Sequence, residues 1–156
     1  MDSIREFQGE HRWLSNFWPC EVSVSGITYP SSEHAFQAQK TLHLPSRQLM
    51  SKLKTPGKAK RYGKTLELRP DWDLMKLSIM EDVVYAKFMQ NDSLCRKLID
   101  TGDARLIEGN RWGDRFWGIC PRPGYTEPIE GLNWLGVILM LQRSRLNYMY
   151  SPMEED

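Results

Sequence analysis

The stretch from Trp72 to Phe88 is the strongest constraint on how this chain folds. Its apolar positions, Leu74, Met75, Leu77, Ile79, Met80, Val83, Val84, Ala86 and Phe88, keep helical spacing over a wide face. Arg69-Pro70-Asp71 opens this helix and Asn91-Asp92-Ser93 interrupts it. With Trp72 it supplies enough apolar bulk for a core. The other elements must pack around it.

Those elements are short. Residues 20–29, CEVSVSGITY, alternate and turn at Ser25-Gly26, which predicts a β-hairpin. Ser31 or Ser32 can cap a helix that Glu33 begins and that runs to about Leu42, before Pro45. A second helix is expected over 46–53 and a third from Ala59 to Lys64. After the long helix come a short helix over 93–99, a turn at Thr101-Gly102-Asp103 and a strand over Arg105–Glu108. Residues 109–131 mix glycine, proline and aromatic rings and read as a structured loop, because so many bulky rings are not left in water. A last helix covers 133–148, with Asn133 as its expected N-cap and Gly136 allowing close packing. The fold class is therefore mainly α, of the α+β kind: one compact helical domain over 1–150 with a small hairpin, and an acidic tail over 151–156.

At 156 residues, 40% hydrophobic and 26% charged, the composition is that of an ordinary globular chain. No apolar run is long enough to span a bilayer, so no membrane association is expected. The start lacks an apolar signal region, and Cys20, Cys95 and Cys120 form no CxxC pair. Both point to a reduced cytoplasmic chain with no structural metal. No cofactor motif and no obligate protein partner is evident. The net charge of +1 argues against bulk grip on a nucleic-acid backbone. It hides a block, however. Lys40, Arg47, Lys52, Lys54, Lys58, Lys60, Arg61 and Lys64 occur with no acid among them. Such a block is either a solvated helical surface or the anchor of a single phosphate group.

Four clusters set polar groups among apolar ones. Ser15 and Asn16 lie between Trp13 and Trp18, either as a ribose contact or as a turn that caps itself. A helix turns about 100° per residue, so Glu33, Gln37 and Lys40 fall on one stripe. A carboxylate, an amide and an amine so stacked suit acid–base or covalent chemistry, or form a plain polar face. The run from Glu108 to Gly118 adds Asp114 as a second carboxylate and Trp112 and Trp117 as flat faces for a base. It reads equally as a buttressed loop. Gly131 to Arg143 leans structural.

The ordered set Leu14-Ser15-Asn16-Phe17, Tyr29-Pro30-x-x-Glu33-His34-Ala35-Phe36-Gln37-Ala38-x-Lys40, Lys87-Phe88, Thr101-Gly102-Asp103, Glu108, Asp114-x-x-Trp117-Gly118 and Gly131-x-Asn133-x-Leu135-Gly136-x-x-Leu139-Met140-x-x-Arg143 resembles the NADAR, or YbiA-like, family. The resemblance covers about residues 6 to 146. It implies hydrolysis of an N-glycosidic bond between ribose C1 and an amine. The substrate would be either ADP-ribose on guanine, possibly in DNA or RNA, or a ribose-phosphate intermediate of riboflavin synthesis. It also implies site roles for Ser15, Asn16, Glu33, Lys40, Glu108, Asp114, Trp117 and Asn133. Lys40 would attack C1 to form a Schiff base, with Glu33 moving the proton. The alternative is water activated directly by Glu33 with Asp114. The proline-rich loop Pro121–Glu130 would bear on substrate choice. The even charge tilts the expectation toward the ADP-ribosyl-guanine branch. A non-catalytic nucleotide-binding module is the alternative from another class.

Overall fold

The computed structural model describes residues 2–151, so most of the acidic tail lies outside the described residues. The chain divides into two compact units, one of residues 12–92 and one of residues 1–11 with 93–156.

In the 12–92 unit, strands β2 (Pro19–Val24) and β3 (Ile27–Ser31) pair antiparallel, with Val22 opposite Tyr29. Ser25 and Gly26 both have positive φ, 51° and 81°, the two-residue turn whose twist matches the strands. β3 runs straight into α1 (Ser32–Ala38), whose N-cap Ser31 accepts the His34 amide. The His34 ring ties the helix further. Its Nδ1 lies 2.6 Å from Ser31 Oγ, and its Nε2 reaches the Leu53 carbonyl at 3.0 Å. Burial lowers its pKa and the bond to Leu53 raises it, and because that carbonyl can only accept, Nε2 carries a proton.

α1 stops at Ala38 rather than near Leu42. The Lys40 carbonyl accepts from the Arg69 amide at 2.7 Å and the Thr41 carbonyl from Arg47 Nε at 2.8 Å. The Thr41 hydroxyl takes the His43 amide. These bonds draw the backbone out of the helical ladder. α2 (Leu44–Ser51) follows with Pro45 in its first turn. α3 (Pro56–Gly63) starts earlier than expected, because Thr55 caps it and Pro56 suits the first helical position.

α4 (Trp72–Met89) matches the expected long helix, and Ile79, Met80, Val83, Val84 and Phe88 are buried. Leu74, expected on that face, is 86% exposed, since two residues on a helix, about 200°, turn it away from the buried Trp72. Lys87 departs the other way. It is 1% exposed, and its Nζ donates to the Trp13 and Ser15 carbonyls at 2.7 and 2.9 Å.

The other unit opens with β1 (Ser3–Ile4), which the sequence does not signal and which pairs in parallel with β4 (Arg105–Leu106). α5 (Asp92–Asp100) buries Leu94, Cys95 and Leu98. α6 (Trp134–Tyr150) buries Leu135, Ile138, Leu139, Gln142, Arg143 and Leu146 at helical spacing. Gly136 lets α6 meet β4 closely, since a Cβ there would lie 2.2 Å from the Leu106 carbonyl oxygen. Arg143 is also structural, its Nη1 donating to Thr101 Oγ1 and the Ala104 carbonyl. The 109–131 segment is an ordered loop, pinned by bridges between Gly109 and Ile119 and between Cys120 and Glu130.

Replacing Lys87 by Met keeps the bulk but takes a charged donor from both carbonyls, of which that of Ser15 keeps the Trp18 amide at 3.1 Å. Urea denaturation is expected to show a loss of about 1–3 kcal/mol, the cost of weakening one buried acceptor.

Candidate active site

In the 12–92 unit the structure brings Ser15, Asn16, Glu33 and Lys40 around one short helix. The Asn16 carbonyl accepts the Glu33 amide at 3.0 Å and fixes the first turn of α1. The Asn16 side chain is engaged at both ends, its Oδ1 accepting from Ser32 Oγ and its Nδ2 donating to Met80 Sδ. Ser15 Oγ accepts the Phe17 amide, so this turn does cap itself. Ser15 and Asn16 thus seat the helix that carries Glu33.

Glu33 is 7% exposed and Gln37 5%. Gln37 Nε2 donates to Glu33 Oε1 at 2.9 Å, as residues four apart on a helix can. Lys40 lies one residue beyond the C-cap Gln39, on a tight turn whose amide bonds the Gln37 carbonyl at 3.2 Å. It is therefore off the regular helix that seven-residue spacing assumed. It still shares its surroundings with Glu33. Burial lowers the Lys40 pKa most, the Glu33 carboxylate raises it, and the Lys60 and Lys64 charges lower it again. The net direction is downward, which enlarges the neutral, nucleophilic fraction.

An aromatic wall stands beside this amine. The Phe36 and Trp72 ring centroids are 5.3 Å apart, and Lys40 Nζ is 5.9 Å from the Trp72 centroid. Sequence reasoning assigned Trp72 to the core of α4. No spacing signal marks a helix-opening Trp as a neighbour of Lys40, which lies far from it in sequence. Trp13, by contrast, packs edge-on to Phe88 within the core.

The remaining expected residues, Glu108, Trp112, Asp114, Trp117 and Asn133, belong to the other unit. Asp114 Oδ1 accepts the Phe116 and Trp117 amides at 3.0 and 2.9 Å. Asn110, which is buried, closes the same loop by accepting the Asp114 amide and donating to its carbonyl. Gly118 is required here, because a Cβ would lie 2.2 Å from the Glu108 carbonyl oxygen. Trp117 packs edge-on to Phe116, with centroids 4.7 Å apart, while Trp112 is 62% exposed.

Asn133 sits at the N-cap position of α6 with φ 54°, but its side chain makes no cap bond. That corrects the expected capping role. Its Oδ1 instead accepts the Glu108 amide and its Nδ2 donates to the Leu106 carbonyl, both at 2.9 Å. The amide thereby positions Glu108. Among the described residues no cluster of His, Cys, Asp and Glu could hold a metal, and no helix is long and apolar enough to cross a membrane.

Comparison with known proteins gives concordant results. The sequence profile of the NADAR domain matches residues 4–147. The chain is 36% identical over 138 residues to a riboflavin biosynthesis protein of Vibrio vulnificus, covering 87% of this chain but only 36% of that protein. It is 36% identical over 135 residues to the N-glycosidase YbiA of Escherichia coli, covering 85% of this chain and 80% of the relative. An N-glycosidase of Nostoc punctiforme is 33% identical over 143 residues, with 88% and 87% covered. The solved structure of E. coli YbiA superposes with a TM-score of 0.78 at 30% identity, covering 99% of this chain and 90% of that one.

The charges around Lys40 set a pH dependence that can be read without turnover. Lys60→Glu or Lys64→Glu removes a cation that lowers the Lys40 pKa, and Glu33→Gln removes the anion that raises it. Acylation of Lys40, followed by mass spectrometry across a pH series, is expected to move its midpoint up in the first two variants and down in the third.

Proposed function

The chain belongs to the NADAR domain family, and on that premise we propose that it is an N-glycosidase hydrolysing the bond between ribose C1 and an amine. The observation that carries this reading is the half-buried Lys40, its pKa lowered by burial and by two cations, beside the buried carboxylate Glu33. A non-catalytic binding module has no need of an amine so tuned.

The chemistry follows from these two groups. A ribosylamine opens to an imine at C1. Neutral Lys40 adds to C1, and the base leaves as its free amine once its nitrogen has received a proton. Lys40 is left joined to the sugar as a Schiff base. Water then adds at C1 and expels Lys40, releasing the sugar aldehyde, which recloses. Glu33 moves the proton between the incoming amine and the departing nitrogen. Burial beside the Phe36–Trp72 pair shifts Lys40 toward its neutral form.

Lys60 and Lys64, whose charges reach Lys40, are suited to hold the sugar's phosphate. Two relatives, in Vibrio vulnificus and Zea mays, are named riboflavin biosynthesis proteins. Their names favour a phosphorylated ribosylamino-pyrimidine as substrate. The second reading, ADP-ribose on guanine, draws on the exposed face of Trp112 for stacking.

Incubation with each substrate side by side, reading released base, chooses between them. Lys40→Ala and Glu33→Gln are each expected to lower turnover by about 100-fold or more while the fold survives. Borohydride is expected to trap a sugar adduct on wild-type protein and none on Lys40→Ala. Tight binding without turnover of any substrate would overturn the enzyme reading.

A further inference from the structure

We infer that Gln37 is a positioning residue for the Glu33 carboxylate, and that Gly63 of α3 is the residue that makes room for it. The inference rests on the N-glycosidase reading above and adds to it a pair of residues that chemistry alone would not select.

Gln37 is buried, and its two amide ends have opposite fates. Nε2 donates to Glu33 Oε1 at 2.9 Å. Oε1 is buried with no hydrogen-bond partner among the described residues. A buried acceptor without a donor is destabilising, and a protein keeps one only where another interaction requires it. Here the requirement is visible. Turning the amide over would set its oxygen against the carboxylate oxygen of Glu33. The carboxylate therefore dictates the amide's orientation, and the amide in turn holds the carboxylate.

The orphaned oxygen faces Gly63. A Cβ at this position would lie 1.9 Å from Gln37 Oε1, 2.8 Å from its Cδ and 3.2 Å from its Cβ. Gly63 has no positive φ, so the backbone conformation does not demand glycine. Glycine within a helix lowers its stability relative to alanine. The close approach of α3 to the Gln37 side chain accounts for it.

A donor held on Oε1 favours the ionised carboxylate and restricts its rotation, which sets the direction from which Glu33 takes or gives a proton. The charged groups bearing on this spot are Lys40, from the turn after α1, and, acting on Lys40, Lys60 of α3 and Lys64 at its C-cap. Arg47 of α2 acts on Tyr29, and Lys87 of α4 acts on Cys20. Gln37 itself need not touch substrate.

Gln37→Met preserves length and burial and removes the donor. It is expected to lower kcat on the order of tenfold, against the 100-fold or more expected for Glu33→Gln. KM should stay nearly unchanged, and the acid limb of the pH–activity profile should move to higher pH. Gly63→Ala should lower kcat in the wild-type background but have little effect in Gln37→Ala, where the added methyl has space. A merely structural role would show the steric coupling as well but would leave the pH limb where it is, so the pH limb is the discriminating readout.

Unchanged kcat and pH profile in Gln37→Met, or additive effects of Gly63→Ala and Gln37→Ala, would overturn the assignment. Glu33→Gln run alongside separates the two claims. If it inactivates while Gln37→Met does not, only the positioning role falls. If Glu33→Gln itself retains full turnover, the catalytic reading of Glu33 falls with it.

Discussion

A carboxylate buried on a helix of seven residues is the constraint on which much of the 12–92 unit depends. Glu33 is nearly out of reach of water, and an uncompensated charge there would be very costly. α1 is also far too short to be stable alone. Both problems are met by partners beyond the helix's own backbone ladder. Ser31 and the Asn16 carbonyl take the first amides. Gln37 donates to the carboxylate, and Lys40 lies where the two opposite charges act on each other. Lys87, sealed under the Trp13–Ser15 segment, holds the strand of chain that presents Asn16. The site residue and the fold are supported by the same bonds.

The same arrangement explains how an amine and an acid remain side by side in useful states. Burial pushes Lys40 toward its neutral form, and Glu33 pulls it back toward the charged one. Burial is the larger of the two, and Lys60 and Lys64 add smaller downward pushes. These cations lie in the basic block that composition alone left between a solvated face and a phosphate anchor. A phosphate bound there would draw on the field that acts on Lys40, so phosphate binding and Lys40 protonation would be linked.

In the other unit, several polar residues that motif reasoning marks as ligand contacts are fasteners of the backbone. Asn133 ties the chain at Leu106 and Glu108, and Asp114 gives one oxygen to two successive amides. Asn110, which motif reasoning passed over, closes the same loop from inside. Short polar side chains serve this purpose well because they offer the backbone bonds at short range. A motif records that such a residue is required there. It does not record whether a ligand or the backbone requires it.

The sequence by itself determined the types and order of the elements from the hairpin onward. Helical spacing from Trp72 to Phe88, the Ser25-Gly26 turn and the ring-rich loop after Glu108 are all local patterns, set by periodicity and turn chemistry. The motif order also sufficed to place the chain in its family. Only the tertiary structure decided where α1 ends, because Arg69 and Arg47 take the carbonyls that follow it. It alone paired β1 with β4, buried Lys87, set Trp72 beside Lys40 and pressed Gly63 against Gln37. Each of these depends on contacts between residues distant in the chain, and those leave no trace in local spacing.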